Sequence, residues 1–181
     1  MNTLRTHYQD TLRPALQKEL GLKNLLAVPR LTKIVVNTSS KELGQDKELL
    51  AKTKAWMSEI TGQAPKVTKA KKSIAGFNLR EGDIIGLTIT LRGVRMYDFI
   101  QKLIHVVLPR TKDFQGIPRK SFDGRGTYTL GLNEQIIFPE VEYDKIGRIQ
   151  GLEITICSSS RDGSQGLALM TALGMPFAKE K

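Results

Sequence analysis

Residues 84–93 read IIGLTITLRG, with Leu87, Ile89 and Leu91 at alternate positions and Thr88, Thr90 and Arg92 between them. Successive side chains of an extended chain point to opposite faces, so this run is a strand with one apolar and one polar face. Such a strand suits a sheet covered on one side only. The pattern recurs twice. RLTKIVVNTSS sets Ile34 and Val36 against Lys33 and Asn37, and IQGLEITICSSS sets Leu152, Ile154 and Ile156 against Glu153, Thr155 and Cys157. TYTLGL and EQIIFPEV are expected to be further short strands.

Helical periodicity separates these runs. Leu4, Tyr8, Leu12, Leu16 and Leu20 lie four apart, which predicts a helix over 3–20, kinked at Pro14 and stopped at Gly21. Leu49, Leu50, Thr53, Trp56, Met57 and Ile60 form one stripe of a second helix, with Asp46 as its N-cap and Trp56 in the core. VRMYDFIQKLIHVVL is a mostly apolar helix expected to end before Pro109, and a last helix runs from Asp162 to Gly174. Strands are not all joined by helices. The expectation is therefore α+β: a single mainly antiparallel sheet with helices packed on one face and long basic loops, residues 1–181 forming one domain.

Charge narrows the partner. There are 28 Lys+Arg against 18 Asp+Glu, a net charge of +10, which favours a polyanion. No apolar run approaches the roughly 20 residues that span a bilayer, and the N-terminal residues lack the apolar core of a signal peptide; a cytosolic protein is expected. The one cysteine, Cys157, excludes an intramolecular disulfide and a multi-cysteine zinc site. His7 and His105 are far apart, and His105 on its apolar helix reads as a buried or half-buried structural residue. Glu140, Glu142 and Asp144 read as solvated surface. No metal, cofactor or catalytic residue is expected.

Two basic segments remain. In TGQAPKVTKAKKSIAGFNLREGD, Lys66, Lys69, Lys71, Lys72 and Arg80 follow one another with no acid before Glu81. The P-loop pattern is absent from it. Residues 110–125 carry Arg110, Lys112, Arg119, Lys120 and Arg125 against Asp113 and Asp123, five minus two. Phe114 and Phe122 there either stack on bases or fasten the loop to the core. The polar sheet face lacks exposed aromatic residues, so structured RNA is expected rather than stacked single strands. An enzyme clamping a phosphorylated substrate through Lys71, Lys72 and Ser73 is the alternative, without a clear general base nearby. A free nucleic-acid chaperone or membrane-surface protein is a weaker third reading.

The stretch EITGQAPKVTKAKKSIAGFNLREGDIIGLTITLRGVRMYDF resembles the signature region of the large-subunit ribosomal protein five family, in its bacterial form. LPRTKDFQGIPRKSFDGRGTYTLGLNEQIIFPEVEYDKI and the closing GMPF extend the resemblance over essentially the whole chain. It implies a non-enzymatic constituent of the large ribosomal subunit, in the central protuberance, with no membrane and no small-molecule substrate. The implied partners are 5S rRNA, 23S rRNA, P-site tRNA, small-subunit ribosomal protein thirteen and neighbouring central-protuberance proteins. Carried onto this sequence, Lys33, Asn37, Gln63, Thr68, Thr90 and Arg92 are implied to contact 5S rRNA. Lys69, Lys71, Lys72, Ser73 and Arg80 are implied to reach towards tRNA. Arg110, Lys112, Arg119, Lys120 and Arg125 are implied to serve the bridge or neighbouring RNA.

Overall fold

A computed structural model describes residues 4–112 and 114–178. Five strands form one antiparallel sheet: β1 (Leu31–Ser39), β2 (Lys66–Lys69), β3 (Ile84–Leu91), β4 (Tyr128–Leu132) and β5 (Leu152–Ser158), in the order β2-β3-β1-β5-β4. The helices are α1 (Leu4–His7), α2 (Arg13–Glu19), α3 (Lys47–Thr61), α4 (Gly93–Lys102) and α5 (Gly163–Ala172). The chain packs as two compact units. One draws on Met1–Ile34, Leu91–Leu130 and Thr155–Lys181, the other on Val35–Thr90 and Gly131–Ile154. Among the described residues no helix is long and apolar enough to cross a membrane.

The strand alternation sorts side chains as the sequence predicts. Leu87, Ile89, Leu91, Ile34, Val36, Leu152, Ile154 and Ile156 are all buried. Thr88 and Asn37 are half-buried and Thr90 is exposed. In α3, Asp46 caps the helix, its Oδ1 accepting the N–H groups of Glu48 at 2.8 Å and Leu49 at 3.2 Å. Leu49, Thr53, Trp56, Met57 and Ile60 form the buried stripe, while Leu50 stays half-buried beside it. Gly62, at φ 67°, ends the helix in the left-handed conformation.

Three expectations change. The first helix is not merely kinked at Pro14. Residues Tyr8–Leu12 form a wide π turn in which the Arg13 N–H reaches back to the Tyr8 carbonyl, and α2 restarts with Pro14 in its first turn. Proline has no N–H to donate, so the ladder is re-spaced ahead of it. The third helix likewise runs on past α4 through a π turn, Leu103–Val107, and a 3₁₀ turn, Leu108–Arg110, that contains Pro109. A proline in the first positions of a turn loses no hydrogen bond. EQIIFPEV is not a strand: Gln135–Ile137 form a 3₁₀ turn. The buried Gln135 side chain replaces a strand partner there, donating to the Arg148 carbonyl at 2.6 Å and accepting the Gln150 N–H at 2.5 Å.

Three tyrosines set an alkaline limit on stability. Burial pushes the Tyr8 and Tyr128 phenols from 10.0 up to about 12, and raises that of Tyr97 as well. A phenol raised in the folded state holds its proton longer than in the unfolded chain. Its stabilisation is complete below the unfolded value and is lost as pH climbs through the folded one. The melting temperature should therefore hold up to about pH 9 and fall between pH 10 and 12. Ultraviolet phenolate absorbance should rise together with unfolding. A melting temperature that held through that interval would contradict the burial of these rings.

Candidate nucleic-acid interface

In the unit built on Val35–Thr90, β2 and β3 pair antiparallel with Lys66 opposite Thr88, Val67 opposite Leu87 and Thr68 opposite Gly86. Opposed residues share a face, so Val67 joins the buried side with Leu87 and Ile89. Lys66 and Thr68 stand with Thr88 and Thr90 on the other side. Strand β1 lies beside β3, and its Asn37 points away from the buried Val36 and Thr38. Close seating of these strands depends on Gly86, because a Cβ there would stand 2.6 Å from the Thr38 carbonyl oxygen. Gln63 arrives from the end of α3, and its Nε2 donates to the Thr90 carbonyl at 3.4 Å. The fold thus gathers Asn37, Gln63, Thr68 and Thr90 from four sequence regions onto and beside one polar surface.

Within β1, Lys33 lies on the same side as Asn37 by the two-residue period. Arg92 closes β3 and stands as the N-cap of α4, where its Nη1 donates to the Thr32 carbonyl at 3.4 Å.

In the first basic segment Lys66–Lys69 form β2, and residues 70–83 connect it to β3 outside the regular strands. Beyond β2 the two chains stay paired. The Ala70 N–H donates to Asp83 O at 2.8 Å and the Gly82 N–H to Ala70 O at 3.0 Å. Ile74 and Leu79 exchange both backbone hydrogen bonds, at 2.9 and 3.2 Å. Residues 75–77 make a 3₁₀ turn closed by Asn78 at φ 50°, a left-handed conformation that asparagine tolerates well. The whole of 66–91 is one long hairpin whose outer half is an arm. The Ser73 hydroxyl accepts the Glu81 N–H at 2.9 Å and the Asp83 carboxylate accepts the Arg80 N–H at 2.7 Å, so both side chains shape the arm. Lys66, Lys69, Lys71, Lys72 and Arg80 are exposed, and none of them forms an ion pair among the described residues. Sequence reasoning missed the tip, where Ile74 is 46% and Phe77 70% exposed. Only the pairing of Ile74 with Leu79 shows that Phe77 sits on a turn and not against a core.

The second basic segment, in the other unit, carries Arg110, Lys112, Arg119, Lys120 and Arg125, all exposed; Asp113 lies outside the described residues. Phe122 fastens this segment, its ring centroid 4.8 Å from that of Tyr128 and 5.9 Å from that of Phe177. Tyr128 adds a hydrogen bond from Oη to the Pro118 carbonyl at 2.9 Å. The Asp123 carboxylate accepts the N–H groups of Arg125 at 2.9 Å and Thr127 at 2.7 Å, which holds its pKa below the usual carboxylate value. Asp123 therefore builds a turn. His105, expected to be buried or half-buried, is exposed on the outer side of its helical turn. Among the described residues no three or more His, Cys, Asp or Glu side chains cluster as metal ligands.

Hydroxyls, amides and unpaired cations on a sheet and its arm can hold phosphate and sugar oxygens. Comparison with known proteins agrees with that chemistry. A family model described as Ribosomal protein L5 matches residues 24–80, and a second, described as the C-terminus of the same ribosomal family, matches residues 84–177. The chain is 52% identical over 179 residues to the large ribosomal subunit protein uL5 of Desulfatibacillum aliphaticivorans, covering 99% of this chain and 100% of that one. It is 51% identical over 177 residues to uL5 of Prochlorococcus marinus strain MIT 9215, covering 98% and 99%. With uL5 of Microcystis aeruginosa the identity is 50% over 174 residues, covering 96% and 97%. Both family matches thus fall within one class, the ribosomal proteins. The chain belongs to the ribosomal protein L5 family, in its bacterial form. It is not an enzyme, and the phosphate-clamping alternative is set aside.

Proposed function

We propose that residues 1–181 act as a single RNA-binding domain in the large ribosomal subunit of the cytoplasm, with 5S rRNA as the principal ligand. The observation that carries this reading is the polar surface of Asn37, Gln63, Thr68 and Thr90 beside an arm of unpaired cations. The hydroxyls and amides fix register on a folded RNA, with Lys33 and Arg92 adding charge. Lys69, Lys71, Lys72 and Arg80 on the arm, kept in shape by Ser73, reach a second RNA, the P-site tRNA. The segment bearing Arg110, Lys112, Arg119, Lys120 and Arg125 serves 23S rRNA or the bridge to small-subunit protein thirteen. Binding is work without chemistry, and its affinity falls as salt rises.

Filter binding of 5S rRNA tests the principal ligand. Replacing Asn37→Ala together with Thr90→Val removes two polar groups from the surface and leaves the buried face intact. Affinity should drop about 30-fold, at about 1 kcal/mol for each of the two lost hydrogen bonds. Binding that stayed within twofold of the unaltered chain would place the 5S contact elsewhere.

A further inference from the structure

Four arginines converge on a cavity of about 390 Å³ contained within the unit that holds α1, α2 and α4. Arg5, Arg13, Arg30 and Arg92 line it together with Gly93 and Tyr97, and among the described residues no carboxylate does. All four are permanently charged at neutral pH. Arg13 Nη2 donates to the Leu25 carbonyl at 3.0 Å and Arg92 Nη1 to the Thr32 carbonyl at 3.4 Å, contacts that aim the guanidinium groups without neutralising them. Arg5 and Arg30 are exposed. Helix α4, ten residues long, begins at this wall with Gly93, and no side chain caps its first N–H groups. Free N–H groups and the positive end of the helix dipole add to the same field. Tyr8 and Tyr97 pack there with centroids 6.2 Å apart, and Tyr8 Oη donates to the Pro29 carbonyl at 2.7 Å.

Four like charges around one concavity repel one another. The carbonyl contacts of Arg13 and Arg92 hold guanidinium groups in place but leave their charge uncompensated, and a bound anion offsets that repulsion. The cavity is larger than a single phosphate and suits a phosphodiester with its flanking sugars. Guanidinium forks match phosphate oxygens in paired hydrogen bonds. We propose that this cavity is a phosphate-binding site for the backbone of an RNA strand, sharing only Arg92 with the residues assigned to 5S rRNA. The site rests on the reading that the partner of this chain is RNA. It assigns Arg5, Arg13 and Arg30, which neither basic segment includes, and it gives Arg92 a place in an anion pocket.

The test uses the full chain carrying Arg5→Gln with Arg30→Gln, because neither guanidinium makes a hydrogen bond or ion pair among the described residues. Two probes are titrated over a range of salt: 5S rRNA and a short RNA duplex of unrelated sequence. The expected result is an affinity loss of about 10-fold for both, with the slope of log affinity against log salt shallower by about 1 to 2. Arg5→Lys with Arg30→Lys should restore the slope and only part of the affinity, since lysine supplies charge without the fork; this pair carries the test if the glutamine pair does not fold. Unchanged affinity and slope on both RNAs would overturn the site. A chain that bound the duplex as tightly as 5S rRNA would refute the 5S reading above, while the duplex titration would still decide the cavity.

Discussion

Lys71→Glu with Lys72→Glu is expected to weaken binding of tRNA about 100-fold, while affinity for 5S rRNA stays within about threefold. The two lysines are exposed on the arm and lie outside the paired backbone contacts of Ala70 with Asp83 and Gly82. The exchange removes two cations and installs two anions facing a polyanion. A change of four charge units at somewhat under 1 kcal/mol each comes to about 3 kcal/mol, which is about 100-fold. The arm should keep its shape, because its hairpin hydrogen bonds use backbone groups, Ser73 and Asp83. Competition binding with deacylated tRNA and with 5S rRNA measures both affinities. Equal losses on the two RNAs would mean that the arm and the sheet surface serve one ligand. The loss should shrink as salt rises, because the effect is electrostatic.

Trp56→Ala is expected to cost about 3 to 5 kcal/mol of stability, the range for truncating a large buried aromatic side chain. Trp56 is 4% exposed on the buried stripe of α3, between Thr53 and Ile60. Urea denaturation should show the loss directly, and the melting temperature should fall by roughly 10 °C. The effect should extend to RNA. The end of α3 at Gly62 sets the position of Gln63 beside Thr90, so a loosened helix blurs one element of the polar surface. A loss below about 1 kcal/mol would show that the stripe does not form the core.

The alternation in β1, β3 and β5 was legible because period two depends only on which side of the strand faces apolar neighbours. Asp46 and Asp162 were legible as caps for a similar reason: each accepts an N–H two or three residues ahead. β2 was not legible. Four residues, KVTK, carry too little pattern, and their strand state comes from pairing with β3. The hydrogen bonds that order the arm were not legible either, because they join residues five to thirteen apart across the hairpin, Ile74 with Leu79 and Ala70 with Gly82 and Asp83. EQIIFPEV failed as a strand because Gln135 is buried by groups thirteen and fifteen residues away.

The sequence by itself determined the fold class, the polar and apolar sides of three strands, the excess of positive charge and the acid-free run of cations. Each of these depends on residue type and on spacing along the chain. Tertiary structure alone decided which polar groups share a surface. Gln63 reaches Thr90 across 27 residues, and Phe122 meets Phe177 and becomes an anchor. Arg5, Arg13, Arg30 and Arg92 meet around one cavity although Arg92 lies far along the sequence from the other three. Convergence of this kind has no local signature, because long-range packing of the backbone, not the neighbouring residues, sets the distance between such groups.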